Sequence, residues 1–312
     1  MHSGEWIRAF GPASLSNLGP GFDAIGLCIE GIGDVVEARL TPETGVRVDR
    51  IEPDLSHVPR DLRNTAAMGA LRVLEKAGAD QGIELRIYKQ VPFGSGIGGS
   101  AASAVAGAWA ANLLLGLPFA KEDLVRAVLD AEEMASGSRH GDNVLPALLG
   151  GLILVSSSSP DRYRKIPLAA QLPLAIVVPE VQILTNAARE MLPKEVSLRD
   201  AAHNAAELAF LVDAFHAGDW ETVGRCIMTD RLVEPVRAAL VPPYHRIRNA
   251  ALEAGAFGCA LTGSGPAMFA VAPDGDSCGQ IMQAMAAACR AQKIDVLGIV
   301  TEANDEGVSE AR

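Results

Sequence analysis

The sequence predicts an α+β protein of two domains, and three observations lead there. The chain has 312 residues, and domains run to roughly 150 residues each. Segments in which apolar and polar residues alternate are mixed with helical stripes, without the regular β-α-β alternation that builds a doubly wound sheet. No internal repeat is visible, which removes solenoids and propellers.

The elements follow in order. Residues 6–10, 34–40 and 83–91 alternate apolar with polar side chains, as strands with one buried face do. Asn64 reads as the N-cap of a helix that carries Ala67, Ala70, Leu71 and Leu74 on one face and closes at Gly78. An alanine-rich helix is predicted over 100–115. The next, over 121–135, puts Leu124, Val125, Val128 and Ala131 on one stripe and should pack beside it. A strand over 151–155 leads into four serines and Pro160. That run is the most linker-like stretch, and it divides an N-terminal domain, 1–158, from a C-terminal domain, 159–312. Beyond it come a strand over 174–178, helices over 198–216 and 244–254, strands over 259–261 and 268–271, a helix over 280–290 and a closing strand over 296–300.

Composition excludes several classes. Lys and Arg number 27 against 38 Asp and Glu, a formal charge of −11, whereas nucleic-acid partners demand a basic face. With 49% hydrophobic and 21% charged residues the chain has ample side chain for a core and is not disordered. The longest apolar run, 144–155, is twelve residues interrupted by Pro146, Gly150 and Gly151, while a membrane span needs about twenty; no membrane partner is expected. Five cysteines (Cys28, Cys226, Cys259, Cys278, Cys289) are odd in number and form no two-residue-spaced pair, which points to reduced, buried thiols. The first ten residues have neither the basic start nor the apolar stretch of a secretory signal. A cytoplasmic protein is expected.

The most informative segment is Val91-Pro92-Phe93-Gly94-Ser95-Gly96-Ile97-Gly98-Gly99-Ser100-Ala101-Ala102-Ser103, entered from a strand and left through a helix. Glycines let backbone N–H groups approach an anion, and the open amides and dipole at the helix start favour negative charge. A phosphate cradle is one reading and a plain glycine-rich turn is the other. Gly94-x-Gly96-x-x-Gly99 also matches the dinucleotide fingerprint of an oxidoreductase. That fingerprint needs a further strand ending in an acidic residue about twenty residues on, where this chain has Gly116-Leu117-Pro118 and the start of another helix. Nor does Gly-Lys-Ser/Thr follow, so the loop is not a Walker loop.

Residues 92–103 resemble the central phosphate-binding motif of the GHMP small-molecule kinases (galactokinase, homoserine kinase, mevalonate kinase, phosphomevalonate kinase), usually Pro-x-x-x-Gly-Leu-Gly-Ser-Ser-Ala. Two further segments agree: residues 12–23, PASLSNLGPGFD, resemble the N-terminal motif, and Thr262-Gly263-Ser264-Gly265-Pro266 resembles the C-terminal glycine-rich motif. The Asn-Leu-Gly-Pro-Gly-Phe-Asp stretch and His140-x-Asp142-Asn143 are similar to the homoserine kinase branch. Gly99 departs from the pattern, standing where the family usually has the first of two serines.

The resemblance implies a two-domain GHMP kinase fold, with an N-terminal domain like domain 2 of ribosomal protein S5 and a ferredoxin-like α+β C-terminal domain. It implies ATP-dependent phosphorylation of the L-homoserine hydroxyl, a step of threonine biosynthesis, and, by analogy, a homodimer. ATP would lie on Pro92, Gly94, Ser95, Gly96, Ile97, Gly98, Gly99, Ser100, Ala101 and Ser103, with Asn64 and Thr65 near the nucleoside. Mg2+ would be held by the Ser100 hydroxyl and Glu132, hard oxygens that suit it. Ser264 and Gly265 would back the phosphate loop or line the substrate site, or else form a tight turn between strands.

Homoserine carries an ammonium, a carboxylate and a hydroxyl. The resemblance assigns the ammonium to Asp23, with Asn17 close by, and the carboxylate to Arg189, which follows Thr185, and to Arg237. Arginine suits that role because its planar fork grips a carboxylate through two bonds. His140 would touch substrate. Asn143 stands where several family members have an aspartate base, so transfer is expected to rest on orientation, with Asp142 as the rival base. The alternatives are another GHMP kinase acting on a different alcohol, a non-catalytic ATP-binding relative and, more remotely, a nicotinamide enzyme.

Overall fold

The computed structural model describes residues 5–55, 58–137, 139–183 and 185–311, with the backbone alone at 135, 136, 185 and 186. Its first sheet starts from β1 (Ile7–Ser16), β2 (Ile25–Thr41), β3 (Val46–Glu52) and β4 (Gly82–Tyr88). β2 is the spine: β1 runs antiparallel along it, its second half pairs antiparallel with β4, and β3 lies parallel to β4 at the edge. The first half of β2 pairs with β5 (Leu152–Ser156), which pairs in turn with β6 (Ser159–Ile166). The short β11 (Ser309–Glu310) returns to β1 and completes seven strands.

Four helices cover this sheet: α1 (Thr65–Ala77), α2 (Gly99–Leu114), α3 (Val125–Ser136) and α4 (Gly141–Leu149). Asn64 caps α1 as expected, accepting from the Ala66 and Ala67 amides, and Gly78 closes it at φ 62°. α2 is the buried centre of the layer, with apolar residues on all its faces. Gly69 of α1 and Gly107 of α2 are the residues that let the two backbones meet: an added Cβ would lie 2.4 Å from Ala104 O and 2.1 Å from Ala66 O, respectively.

The second sheet runs in the order β10 (Val296–Glu302), β7 (Pro173–Pro179), β9 (Met268–Val271), β8 (Gly258–Leu261), all antiparallel. α9 (Tyr244–Glu253) and α10 (Gly275–Arg290) pack on one face through Ile247, Ile281 and Met285. α6 (Leu198–Ala217) and α7 (Trp220–Cys226) pack on the other through Leu211, Phe215 and Val223. That second core also holds Leu15, Ile25, Leu27 and Ile29 of the first sheet, so one apolar cluster joins the two sheets. The short α5 (Thr185–Glu190) and α8 (Glu234–Arg237) lie between these elements.

The mixed, mostly antiparallel architecture is the α+β one expected, and it is not doubly wound. One reading is corrected. The serine run is not a linker but the turn of the β5–β6 hairpin, in which Ser156 faces Ser159, so a division at 158/159 falls inside a hairpin of the first sheet. The run reads as a linker because β6 is an edge strand, largely exposed and without apolar alternation. Among the described residues no helix is long and apolar enough to cross a membrane, and all five cysteines are free and buried.

The helix contact generates a prediction. Gly107→Ala should destabilise the protein by roughly 1–3 kcal/mol, the usual cost of overpacking, measured as a lower urea midpoint at unchanged slope. An unchanged midpoint would mean that α1 and α2 are less tightly pressed than described.

Candidate active site

The site begins at the loop between β4 and α2. Gly94, Gly96 and Gly98 have φ of +66°, +83° and +71°, a region that side chains disfavour. At Gly98 space forbids one as well, since a Cβ would lie 2.3 Å from Ser14 Oγ. α2 starts without a side-chain cap and without an acidic residue in its first turn, so its first amides and the positive end of its dipole stay open to an anion. Ser95 Oγ is buried with no hydrogen-bond partner among the described residues. Together they face a cavity of about 650 Å3.

One strand and one turn brace this loop. Ser14 N donates to Ile97 O at 3.2 Å, Ala267 N to Ser95 O at 3.0 Å, and Thr262 Oγ1 to Gly96 O at 3.2 Å. The Thr262–Ala267 stretch is thus both the turn between β8 and β9 and the backing of the glycine loop. Asn143 joins in, accepting from Ser14 Oγ at 3.1 Å and donating to Ser16 Oγ at 3.0 Å. Beneath lies a network that sequence reading missed. Asp34, fully buried, accepts from the Gln90 and Val91 amides and from Ser103 Oγ and forms an ion pair with Lys89. Lys89 also donates to Gly99 O and Ser103 Oγ, each at 3.0 Å. The signal was there, an aspartate opening an alternating strand and a lysine before the loop, but 55 residues separate them.

Each predicted nucleotide residue has a definite place. Pro92, Gly94, Ser95, Gly96, Gly98, Gly99, Ser100 and Ser103 line the cavity, as do Asn64 and Thr65. Ile97 and Ala101 do not: both side chains are fully buried, so they can offer a ligand only backbone. The Asn64 side chain is committed to capping α1 and to Pro59 O, and Thr65 Oγ1 donates to Ser100 O. A Cβ at Gly99 would lie 3.1 Å from Val91 Cγ1, so the glycine relieves crowding between the start of α2 and the loop.

The other half of the cavity is charged. In the loop after β1, Asn17, Leu18 and Asp23 all take positive φ (69°, 45° and 53°), strain of a kind that collects at functional sites. Asn17 holds the loop, accepting from Asp23 N at 3.1 Å and donating to Gly263 O at 3.0 Å. Arg189 Nη2 reaches both Asp23 carboxylate oxygens, at 2.9 and 2.7 Å. Expected at opposite ends of one ligand, these two residues are therefore paired with each other. Arg237 Nη1 donates to Gly263 O at 2.7 Å, and both guanidinium groups lie against the Phe22 ring. Each arginine keeps a buried Nε without an acceptor among the described residues. Burial pulls Arg237 below its usual pKa, reinforced by the Arg189 charge and opposed by Asp23. Thr185 opens α5, but its side chain lies outside the described residues.

Glu132 of α3 and Asp142 of α4 are buried carboxylates in the same cavity, with His140 between them in sequence. His140 Nδ1 stands 3.7 Å from Glu132 Oε1. Burial would lower the imidazole pKa, but the Glu132 hydrogen bond and the Asp142 charge outweigh it and raise it. Asp142 is pushed up to about 7 by burial and by the Asp23 charge, while His140 pulls the other way. Its Oδ1 has no hydrogen-bond partner among the described residues. Ser100 stands exposed at the start of α2, lining the cavity with Glu132.

Comparison with known proteins gives the chain's relatives. Residues 64–151 match the GHMP kinases N-terminal domain model and residues 211–291 the GHMP kinases C-terminal model. A homoserine kinase of Pyrococcus abyssi is 38% identical over 295 residues, 95% of each chain, and one of Chlorobium phaeobacteroides is 36% identical over 290 residues, 89% of this chain and 90% of the relative. The crystal structure of homoserine kinase from Cytophaga hutchinsonii superposes with a TM-score of 0.95 at 38% identity, covering 100% of this chain and 99% of that one.

The buried Asp142 yields a test. The native state holds a proton that the unfolded chain, with its ordinary value of 3.8, has released. Wild-type stability should therefore fall as pH rises from 3.8 to about 7, because the native state binds more protons there. Asp142→Asn removes that loss, so its stability relative to wild type should grow across the window and level off above it. Urea denaturation at several pH values measures this, and a pH-independent difference would refute the buried ionisation.

Proposed function

The chain belongs to the GHMP kinase family, and we propose that it is a homoserine kinase, transferring the γ-phosphoryl group of ATP to the primary hydroxyl of L-homoserine. The observation that carries this reading is one cavity with two chemistries. Its lining combines an uncapped helix start behind a glycine loop with one carboxylate and two arginines, Asp23, Arg189 and Arg237. The first suits a polyphosphate and the second an amino acid zwitterion.

Phosphoryl transfer asks a protein mainly for positioning and charge neutralisation. The α2 amides and the Ser95 hydroxyl hold the phosphates. Mg2+ is proposed at Ser100 and Glu132. A buried carboxylate and a loop hydroxyl fit it, because Mg2+ is usually held by one or two carboxylates together with substrate phosphates and water. The chemistry such an ion would supply there is positive charge that offsets the charge on the transferred group. At the substrate end, the Asp23–Arg189 pair opens to the zwitterion: Asp23 takes the ammonium, Arg189 and Arg237 the carboxylate, with Asn17, Thr185 and His140 alongside. Charge balance is preserved, so exchanging one ion pair for two leaves no buried charge unpaired. Asn143, held by Ser14 and Ser16 beside the phosphate loop, orients the hydroxyl, and the substrate proton passes to phosphate.

Asp142 is the rival base, favoured by its unpaired buried oxygen and a pKa near working pH. The −11 charge supports small-molecule rather than nucleic-acid partners, and five free buried thiols support a reducing compartment, the cytoplasm. The homodimer belongs to the same proposal: light scattering near twice 32.6 kDa supports it, and a monomer mass removes it.

ADP release from Mg-ATP, measured with L-homoserine, mevalonate, galactose, pantoate and a blank, should show turnover with homoserine alone. Turnover with another alcohol would discard the amino acid site, and ATP binding without turnover would favour a non-catalytic relative. Arg237→Ala should raise the homoserine KM with less effect on that of ATP, and Ser100→Ala should mainly lower kcat. General bases contribute about 10²–10⁴-fold, so a kcat loss near 10³-fold in Asp142→Asn would overturn transfer without a base, while a loss of a few fold supports it.

A further inference from the structure

Behind the cavity, outside its lining, lies a buried carboxylate with no part in the reaction as described. Glu234 is the first residue of α8, and Arg237 is the last. A helix of four residues cannot hold itself together, because nucleation costs more than its few hydrogen bonds return. α8 depends on outside pins. Asp230 supplies one set: its carboxylate accepts from the Leu232, Val233 and Glu234 amides and is steadied by Asn204 Nδ2 at 2.7 Å. Glu234 supplies another. Its Oε1 accepts from Tyr244 Oη at 2.6 Å and from Leu261 N at 3.2 Å, and Arg248 Nη1 donates to Tyr244 Oη at 3.2 Å.

The second set has a particular geometry. Glu234 and Arg237 are three residues apart and share a helix face. Glu234 binds Leu261, the last residue of β8, and Arg237 binds Gly263, two residues later in the same strand and turn. Two attachments to one short stretch fix both the height and the rotation of α8. Gly263 O also accepts from Asn17 Nδ2, which ties the same point to the loop carrying Asp23. Burial pushes the Glu234 carboxyl up to about 7, with the Tyr244 and Leu261 hydrogen bonds opposing the rise. Burying it is therefore a cost, met in part by the two hydrogen bonds it receives.

We propose that Glu234 is a positioning residue for Arg237, locking α8 onto the end of β8 so that the guanidinium is held ready for the substrate carboxylate. This rests on the assignment of Arg237 to homoserine. The test is a double-mutant cycle read in KM. Glu234→Ala should raise the homoserine KM by about tenfold or more, since small misplacements of a positioning group can cost up to about 10²-fold, with the ATP KM nearly unchanged. Glu234→Gln, whose amide oxygen still accepts from Tyr244 and Leu261, should restore most of the loss. In the Arg237→Ala background Glu234→Ala should add little, because residues that act through one another are not additive. Should Glu234→Ala not fold, Tyr244→Phe removes one donor, keeps the ring, and should raise the same KM by a smaller factor.

Unchanged homoserine KM in Glu234→Ala, or in Tyr244→Phe where that variant decides, would overturn the inference, as would a full additional effect in the Arg237→Ala background. An unchanged homoserine KM in Arg237→Ala itself would overturn the Arg237 assignment and this inference together. An intact Arg237 effect with a silent Glu234 would overturn this inference alone.

Discussion

The site depends on one docking contact, where the turn after β8 presses on the end of β1 and on the phosphate loop. Thr262 binds Gly96 and receives the Ser16 amide, and Gly263 N donates to Ser16 O. The Gly263 carbonyl accepts from both Asn17 and Arg237. Three stretches far apart in sequence, around Ser16, Gly96 and Thr262, thereby share one small set of hydrogen bonds. Each has a backbone group on at least one side, and such groups must be satisfied once buried. The seam is thus rigid for reasons that do not depend on any ligand.

Charge is organised around that seam. The glycine loop carries open amides, and Lys89 beside it is already committed to Asp34, Ser103 and Gly99. The same cavity is lined by Asp23, Arg189 and Arg237, and Asp142 and Glu132 add two buried carboxylates to it. Burial, reinforced by the Asp23 charge, raises Asp142, and burial lowers Arg237, so the site departs most from ordinary ionisation where substrate is proposed to bind. Perturbed groups gather at functional sites for this reason.

Much of the fold was legible. The caps at Asn64 and Gly78, the buried alanine helix and the strands of the second sheet all follow from local pattern. The serine run misled, because an exposed edge strand lacks the alternation that marks a strand. The α4 helix, with Pro146 inside it, and the short α5 and α8 carry too few residues to show a period. Most motif residues were found to line one cavity, but Ile97 and Ala101 point their side chains into the core. A glycine-loop motif does not distinguish residues whose amides face a ligand from those whose side chains anchor the loop.

By itself the sequence determined an acidic chain and a glycine loop opening a helix, and its motifs carried the resemblance that singles out one carboxylate and two arginines for the proposed amino acid. Residue type and local spacing carry such information, since they set charge, hydrogen-bonding capacity and backbone freedom. Only the tertiary structure decided which groups are already satisfied. Asp23 paired with Arg189, Asn64 spent on a helix cap, Asp34 beneath the loop and Glu234 behind Arg237 are all relations of this kind. They join residues far apart in the chain or split one residue between structure and ligand, and whether a polar group is free depends on which partner the fold brings within 3 Å.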